Sequence, residues 1–358
     1  MEPYRGAELG PYRIERKVGE GAFGAVWCGT HTDTGQRVAV KVLLPAAAAD
    51  PEQVSRFHRE AKLLALVKSP HVARMVDFLV NSEFGIVLVM ELIDGELMSD
   101  LLGAGLVSID ETIDIGAEIL EGVCDLHAAG IIHRDLKPNN IMLCSKSDGT
   151  RRVVIFDLGL SRIIRDARTP ESTLSLTGSR VALGTLECMA PEQILSARDV
   201  TERSDVYAVG SILYRAMTGS YPFVADDERD VARRKLTVET PEIVIAPTDA
   251  IAQGLRAIVT KAARRRPSDR YASARLMRDE IVALRELARA RKAAIAARPP
   301  PSPERDRERA YRARLPTLPP EDRPSRASTR DRLIPFVVGL TVFSVVVGAA
   351  IVWRSLHH

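Results

Sequence analysis

Two patterns of apolar residues divide the chain into a strand-rich part and a helix-rich part. Up to about residue 90, apolar and polar residues alternate in short runs, such as residues 38–42 and 86–89, which predicts β-strands. Residues 51–67 interrupt these strands with apolar residues at helical spacing, and from Leu97 onward helical spacing dominates. This order predicts an α+β fold with a small β-rich lobe, a larger helical lobe and a cleft between them.

The last long apolar stretch, residues 333–353, has the composition of a membrane-spanning helix. Its central part contains eleven Val, Leu, Ile or Phe residues and no ionisable side chain. At about 1.5 Å rise per residue, its length covers a hydrocarbon core of roughly 30 Å. Arg326, Arg330 and Arg332 precede it and residues 354–358 form a short tail. The positive-inside rule then places the main domain in the cytoplasm, at the inner cell membrane. The alternative is a buried core helix, which rarely follows such a linker at a chain end.

Charge is distributed unevenly, although the net charge is only +3. Residues 289–332 carry thirteen Lys or Arg against six Asp or Glu, a balance of +7, and Arg354 adds one. Residues 1–288 therefore hold 36 basic and 41 acidic residues, a balance of −5. An acidic main domain lacks the basic face of a nucleic-acid binder, so we expect no nucleic-acid partner.

Residues 288–332 predict a Pro/Arg-rich juxtamembrane linker, because this composition cannot build a core. The Ala/Arg-rich residues 285–297 are expected to extend the last helix into it. The basic excess has two interpretations: solvated charge that signals topology, or contact with anionic lipid headgroups.

The four cysteines exclude two classes of protein. They lie far apart without a C-x-x-C pair, which excludes a zinc ribbon and argues against a disulfide framework. The N-terminus also lacks the apolar run of a signal peptide. We therefore expect the main domain to remain in a reducing cytosol.

A glycine-rich run is the first candidate for phosphate binding. Residues 19–26 match G-x-G-x-x-G-x-V, whose glycines a dinucleotide-binding unit would share. The residues after Gly24 continue as a strand toward a turn at 33–35, which favours a flap whose backbone N–H groups approach phosphates. Lys41 lies inside an apolar strand and should meet a phosphate or a carboxylate, because an unpaired buried ammonium is costly. Glu60, on the predicted helix, offers that carboxylate.

The most specific segment reads Ile-Ile-His-Arg-Asp-Leu-Lys-Pro-Asn-Asn-Ile-Met-Leu over residues 131–143 and contains H-R-D-x-K-x-x-N. Further motifs follow it in order: Asp157-Leu158-Gly159, Ala190-Pro191-Glu192, Ser204-Asp205 and Arg270. Together with the glycine-rich run, they resemble the bacterial eukaryotic-like (Hanks-type) serine/threonine protein kinases. The resemblance covers residues 12–287 and implies a two-lobed protein kinase fold, with lobes at about 12–92 and 93–287.

The resemblance implies a role for each matching residue. Asp135 accepts or orients the proton of the substrate hydroxyl, and Lys137 neutralises the transferred phosphoryl group. Asn140 and Asp157 hold Mg²⁺, or alternatively Mn²⁺, through oxygen ligands. Lys41, held by Glu60, anchors the phosphates of ATP. The implied nucleotide contacts are Val18, Gly19, Glu20, Gly21, Ala22, Phe23, Gly24, Ala25, Val26, Ala39, Lys41, Glu91 and Leu92, with Met90 as gatekeeper. The implied structural residues are His133, Arg134, Glu192, Asp205 and Arg270.

Two local features imply serine/threonine specificity within this family. Lys137-Pro138 resembles the serine/threonine form of the catalytic loop, and Thr185 resembles the threonine that bonds the catalytic Asp and Lys.

Two residues depart from the family pattern. Leu158 replaces the aromatic of D-F-G, for which we expect active-state packing with fewer aromatic contacts. Cys188 stands where relatives often have Tyr, and either alters the peptide-binding floor or is an inert small hydrophobe.

Regulation by phosphorylation is implied by Arg134, which directly precedes Asp135. A phosphate on the activation loop can neutralise such an arginine and order the loop. Thr177 and Ser179 lie where related bacterial kinases autophosphorylate, although hydroxyls are also simply common in a mobile loop. We expect trans-autophosphorylation within a homodimer, promoted by crowding on the membrane.

Two other functions compete with an active protein kinase. A pseudokinase scaffold would bind partners without transferring phosphate, but it usually lacks the lysine, the catalytic Asp or the metal Asp, and all three are present here. A small-molecule phosphotransferase on the same fold would not need Ala190-Pro191-Glu192 with Arg270. The expected partners are therefore protein substrates, whose identity the sequence does not reveal, and membrane lipid.

Overall fold

The structure is a computed structural model, and one compact unit extends from the N-terminus to Ala297. It describes residues 3–21, 24–43, 51–81, 83–146, 149–157, 185–196, 199–246 and 248–297. The predicted linker beyond residue 297 and the predicted membrane span at 333–353 lie outside these ranges. Within them, no helix combines the length and the apolar character needed to cross a bilayer.

Six antiparallel strands form the sheet of the N-terminal lobe, in the order β1-β2-β3-β4-β6-β5. A helix, α1 (Pro51–Leu66), lies between β4 and β5 in the sequence. The strands are β1 (Glu8–Leu9), β2 (Tyr12–Gly21), β3 (Gly24–His31), β4 (Arg37–Leu43), β5 (Met75–Asn81) and β6 (Gly85–Glu91).

The strand β6, which lies between β4 and β5 in the sheet, is buried on both faces, and this explains the apolar run of its sequence. Side chains alternate across a strand, so Ile86 and Leu88 pack against Leu64 of α1. Val87 and Val89 join a second apolar cluster on the opposite face. One face of the sheet therefore packs against α1, and side chains of the strands themselves form an apolar cluster on the other face.

The C-terminal lobe is mainly helical. Its helices are α2 (Met98–Ala104), α3 (Ile109–Ala128), α4 (Thr185–Cys188), α5 (Pro191–Leu195), α6 (Glu202–Thr218), α7 (Glu228–Thr237), α8 (Ala250–Ala262) and α9 (Ala274–Ala296). The core forms mainly around α3 and α6, with α8 and α9 packed against them. A Cβ at Gly210 would lie 2.9 Å from Ala262 Cβ, so the glycine allows α6 and α8 to approach closely.

The predicted order of elements is confirmed, with differences at the helix ends and in one sheet. Helix α3 begins at Ile109, because Ser108 caps it by accepting a hydrogen bond from the Glu111 backbone N–H. A three-stranded sheet, absent from the prediction, lies within the helical lobe. Its strands are β7 (Glu96–Leu97), β8 (Ile141–Ser145) and β9 (Arg151–Ile155).

The last helix, α9, continues to Ala296, which confirms that the Ala/Arg-rich segment is helical. Its final turns are exposed and are tied to α3 by ion pairs. Lys292 Nζ lies 2.6 Å from an oxygen of Asp110, and an Arg289 nitrogen lies 3.2 Å from one of Asp114. Exposed pairs of this kind contribute little to stability.

A buried ion pair joins Arg270, after α8, to Glu192 at the start of α5. The guanidinium donates two hydrogen bonds to the carboxylate, at 2.7 and 2.8 Å, and Ser204 Oγ donates another at 2.7 Å. Burial disfavours the charged form of Glu192, but its bonds with Arg270 outweigh that effect and hold its pKa below the ordinary value. The remaining guanidinium protons bind backbone carbonyls of Arg203, Arg264 and Arg265.

Glu192→Gln is expected to lower the free energy of unfolding at pH 7 by about 3–5 kcal/mol, because it leaves the cation of a buried pair uncompensated. The depressed pKa means that the ionised carboxylate stabilises the fold above its unfolded pKa of about 4.3. That stabilisation is lost as the pH falls through the lower folded value. Urea unfolding at pH 7 and at acid pH should therefore show the gap between wild type and variant narrowing on acidification.

Glu242→Gln is the matched control for this experiment. Glu242 pairs with Arg256 at 2.7 Å, but its side chain is largely exposed, so the expected change is below about 1 kcal/mol. An equal loss of unfolding free energy in the two variants would contradict the prediction that the buried pair of Glu192 and Arg270 contributes more to stability than the exposed pair.

Candidate active site

The glycine-rich run forms the end of the β2–β3 hairpin. Gly19 pairs with Val26, Glu20 with Ala25, and Gly21 with Gly24. Gly24 has a φ of 147°, a conformation that side chains disfavour. The chain enters a strand after this glycine, as predicted, and not the helix of a dinucleotide-binding unit. Ala22 and Phe23, at the tip, lie outside the described residues.

Lys41 projects from the middle of β4 toward the second lobe. Its strand neighbours are Val26 and Leu88, and the residue is only 7% exposed. The ammonium contacts the carboxylate of Asp157, which supplies the partner that a buried cation requires. The predicted pairing with Glu60 stays a prediction, since that side chain on α1 lies outside the described part.

The strand β6 leads into the predicted hinge. Met90 lies opposite Ala39 of β4, and Glu91 lies opposite Val38. The backbone N–H of Glu91 donates to the Arg74 carbonyl at 3.0 Å, so this donor is already engaged within the protein. Leu92 follows directly and is partly exposed. A cavity extends behind the hinge, lined by Lys41, Leu64, Ala73, Leu88, Met90, Phe156 and Asp157.

The catalytic loop brings three predicted residues together between α3 and β8. Lys137 Nζ lies 3.1 Å from Asp135 Oδ2. Asn140 Nδ2 donates to the Asp135 backbone oxygen at 2.8 Å and lies 3.4 Å from Oδ2. Because its amide nitrogen is the donor in both contacts, the amide oxygen is the atom with which Asn140 would hold a metal.

Asp157 connects this loop to the first lobe. It follows β9 in a left-handed conformation with a φ of 54°, which is uncommon for a non-glycine residue. The preceding residue, Phe156, donates its N–H to the Asn140 carbonyl at 2.9 Å. The two predicted metal ligands are thus held on adjacent segments, and an amide oxygen with a carboxylate suits a hard divalent cation.

The backbone of the catalytic loop is held by Asp205 of α6, which is only 1% exposed. Its carboxylate accepts the N–H of His133 at 2.8 Å and that of Arg134 at 3.0 Å. His127 Nε2 lies 2.9 Å away. Burial opposes ionisation of Asp205, but its contacts with His127 and His133 lower its pKa below the ordinary value. Arg134 itself has a φ of 65°, a second strained position beside the site.

His133 is completely buried, and burial lowers its pKa, so the ring is neutral near pH 7. Nδ1 accepts the N–H of Asp135 at 3.3 Å, which places the ring proton on Nε2. Among the described residues, that Nε2 has no hydrogen-bond partner. The buried ring of His133 therefore supports the catalytic loop, and its hydrogen bond is with the backbone of Asp135, the predicted catalytic residue.

A wall opposite the catalytic loop is built by the chain around α4. Cys188 and Met189 line a cavity that also contains Asp135 and Leu136. Burial raises the pKa of the Cys188 thiol to about 12, which favours the interpretation as an inert hydrophobe. The side chain of Thr185 and all of Leu158, Thr177 and Ser179 lie outside the described part of the chain.

Two polar residues of the site were missed in the sequence. Gln193 of α5 donates to the Arg134 carbonyl at 2.8 Å and accepts the Ala190 N–H at 3.0 Å, so it joins the wall to the catalytic loop. His127 supports Asp205 from the end of α3. Gln193 directly follows the Ala190-Pro191-Glu192 motif, and this position was the only feature of the sequence that could have indicated its role.

Comparison with known proteins agrees with this geometry. The family model described as "Protein kinase domain" matches residues 12–282. Serine/threonine-protein kinase Pkn1 of Myxococcus xanthus is 34% identical over 326 residues, which cover 88% of this chain and 45% of that protein. Serine/threonine-protein kinase PknA of Mycobacterium tuberculosis is 32% identical over 80% of this chain and 64% of its own length. The chain thus spans about half the length of these relatives.

The fold is also found among solved structures. The crystal structure of the Mycobacterium tuberculosis PknI kinase domain matches with a TM-score of 0.58 and 24% identity, over 79% of this chain and all of that one. At this level of identity the similarity shows the two-lobed fold alone. Together with the family model, it shows that this chain belongs to the protein kinase family and carries a kinase domain of the bacterial serine/threonine class.

Proposed function

We propose that this chain is an active serine/threonine protein kinase that transfers the γ-phosphate of ATP to Ser or Thr hydroxyls of proteins. The proposal rests above all on the contact between Lys41 and Asp157, which are 116 positions apart in the sequence. One is the predicted phosphate anchor and the other a predicted metal ligand. Both residues line one cavity, so the cleft brings together a cation suited to phosphates and a carboxylate suited to a metal, the two kinds of group that phosphoryl transfer uses.

The chemistry that these residues can perform is mainly positioning and charge neutralisation. Asp135 accepts or orients the proton of the attacking hydroxyl. Lys137, whose ammonium lies beside the Asp135 carboxylate, neutralises charge on the transferred group. A divalent cation, when bound, neutralises the ATP phosphates, and Asn140 and Asp157 are the residues that would hold it. Mg²⁺ is the cation proposed, with Mn²⁺ as the alternative.

Serine/threonine specificity is supported by Lys137-Pro138 in the loop and by the similarity to the serine/threonine-protein kinases Pkn1 and PknA. The competing functions are a scaffold that binds nucleotide without transfer and a phosphotransferase for small molecules. The buried pair of Glu192 with Arg270 favours a protein substrate, because in the family this pair belongs to the part that binds protein.

Substitution of the catalytic residues tests the activity. The purified full chain with ATP and Mg²⁺ is expected to label myelin basic protein. Asp135→Asn should lower kcat by about 10²–10⁴-fold, since it removes the group that handles the proton. Lys41→Met should lower the rate by about 10²–10³-fold through loss of a preorganised charge.

Lys62→Met is the matched control, because this lysine of α1 is exposed and should leave the rate unchanged. Equal labelling by wild type and Asp135→Asn would contradict the proposal. Binding of ATP without transfer to any protein would favour the scaffold instead.

Activation is proposed to depend on autophosphorylation in trans at Thr177 or Ser179. Both carbonyl and N–H of Arg134 are held, by Gln193 and Asp205 respectively, so the origin of its side chain is fixed. A phosphate on the activation loop that reached Arg134 would neutralise the positive charge next to Asp135. The same contact would order the activation loop.

Mass spectrometry of the chain expressed in a host without phosphatase should find phosphate at Thr177 or Ser179. The double variant Thr177→Ala/Ser179→Ala is expected to lose most of its activity toward myelin basic protein, while Thr169→Ala serves as the control. An unmodified loop in a fully active enzyme would count against this mode of activation. Labelling per molecule should also rise with protein concentration, as a reaction in trans requires.

Anchoring at the inner cell membrane is proposed for residues 333–353, with the kinase domain in the cytoplasm. The support is compositional: an uncharged apolar segment follows a linker with a basic excess. Contact of that linker with anionic headgroups would add roughly 1 kcal/mol per well-placed cation.

Membrane fractionation tests the anchor. The full chain should remain in the membrane pellet after alkaline carbonate extraction, because an inserted helix is held by apolar transfer and not by charge. A chain that ends at residue 332 should be released by carbonate, and salt should weaken any residual binding to anionic vesicles. Recovery of the full chain in the soluble fraction would contradict the proposal.

A further inference from the structure

A fully buried lysine lies outside the residues that the proposed mechanism uses. Lys235, in α7, is 0% exposed. It lies four residues after Val231, on the helix face that packs against Leu186 and Met189 near the catalytic loop. An ammonium on such an apolar face is costly unless each of its protons has an acceptor.

The three protons of Lys235 find three acceptors. Nζ lies 2.7 Å from the backbone oxygen of Glu187, 2.8 Å from that of Met189 and 3.2 Å from the hydroxyl of Tyr207. The two carbonyls belong to residues two apart in the chain. A single cation thus fixes the bend of the segment 187–189.

That segment is the wall opposite the catalytic loop. Cys188 lies between the two anchored carbonyls, and together with Met189 it lines the cavity that contains Asp135. Displacement of these carbonyls would move the wall relative to the catalytic carboxylate. Lys235 touches none of the reacting groups, so its effect on them is indirect.

The charges around Lys235 explain why it can anchor the wall in either protonation state. Burial, to which the charge of Arg270 adds, lowers the pKa of Lys235 to about 7, while the carboxylates of Glu187 and Glu192 act in the opposite direction. A neutral amine still donates two protons to the two carbonyls, and its lone pair accepts the proton of the Tyr207 hydroxyl. Tyr207 is itself held between two cations, with Arg270 4.7 Å from its ring.

We propose that Lys235 is a positioning residue of the protein-substrate site, which shapes the wall that receives the substrate chain beside Asp135. The inference rests on the proposed kinase function and deepens it. Its consequence is selective: loss of the anchor impairs use of a protein substrate, while nucleotide contacts on β2, β4 and β6 stay as they are.

Lys235→Met tests the inference, because methionine keeps an unbranched apolar chain and removes the donors. With the purified full chain, the KM for myelin basic protein is expected to rise about tenfold, the order of change that loss of a hydrogen bond to a charged group produces. The KM for ATP and the rate of ATP hydrolysis without protein substrate should not change. Arg233→Met is the matched control on the same helix, since Arg233 is exposed and its guanidinium pairs with Asp230 one turn away.

The outcomes separate the inference from the function on which it rests. An unchanged KM for myelin basic protein, or an equal decline of transfer and ATP hydrolysis, would assign Lys235 to stability alone and overturn the inference. If the wild-type chain itself transfers no phosphate to protein, the proposed function fails and the inference falls with it.

A second variant covers the case in which Lys235→Met does not fold. Lys235→Gln keeps two amide protons for the two carbonyls, so a smaller increase in the same KM is expected. Failure of both variants to fold would show that the residue serves the stability of the lobe, and would also overturn the positioning role.

Discussion

The geometry of the active site depends on one buried carboxylate, that of Asp205. It accepts the backbone N–H groups of His133 and Arg134 and contacts the ring of His127, so three separate donors converge on it. The loop that it holds contains a left-handed arginine, and such a conformation persists only where surrounding contacts over-determine it. Because Asp205 belongs to the buried helix α6, the position of Asp135 is set from the core of the helical lobe.

Buried charges serve the same purpose elsewhere in this lobe. Arg270 binds three backbone carbonyls besides Glu192, and Lys235 binds two. Three of these carbonyls, those of Met189, Arg264 and Arg265, lie just beyond the end of a helix, where a backbone group would otherwise be buried without a partner. The lobe thus uses charge to give irregular segments a single conformation, at positions where an apolar core could not define one.

Much of this arrangement could be predicted from local sequence. The strand-rich lobe, α1 and the helical lobe follow from periodicity, and the catalytic residues follow from motifs with fixed spacing. The sheet β7–β9 was missed because its strands are only two to five residues long and lie in a region whose dominant spacing is helical. The roles of Lys235 and of the Glu91 N–H could not be predicted either. Each of these groups binds a backbone carbonyl of a distant segment. Every residue has a backbone carbonyl, so the sequence does not indicate which one will be the acceptor.

Because Lys41 contacts Asp157, its ammonium and a divalent cation would compete for the same carboxylate. While the ammonium rests on the carboxylate, a divalent cation must displace it to bind there. When Lys41 turns instead toward a phosphate, the carboxylate is released and its affinity for the cation rises. By thermodynamic linkage, the cation must strengthen nucleotide binding by the same factor. The two would therefore enter the cleft cooperatively, and stray divalent ions without nucleotide would be held off by the protein's own amine.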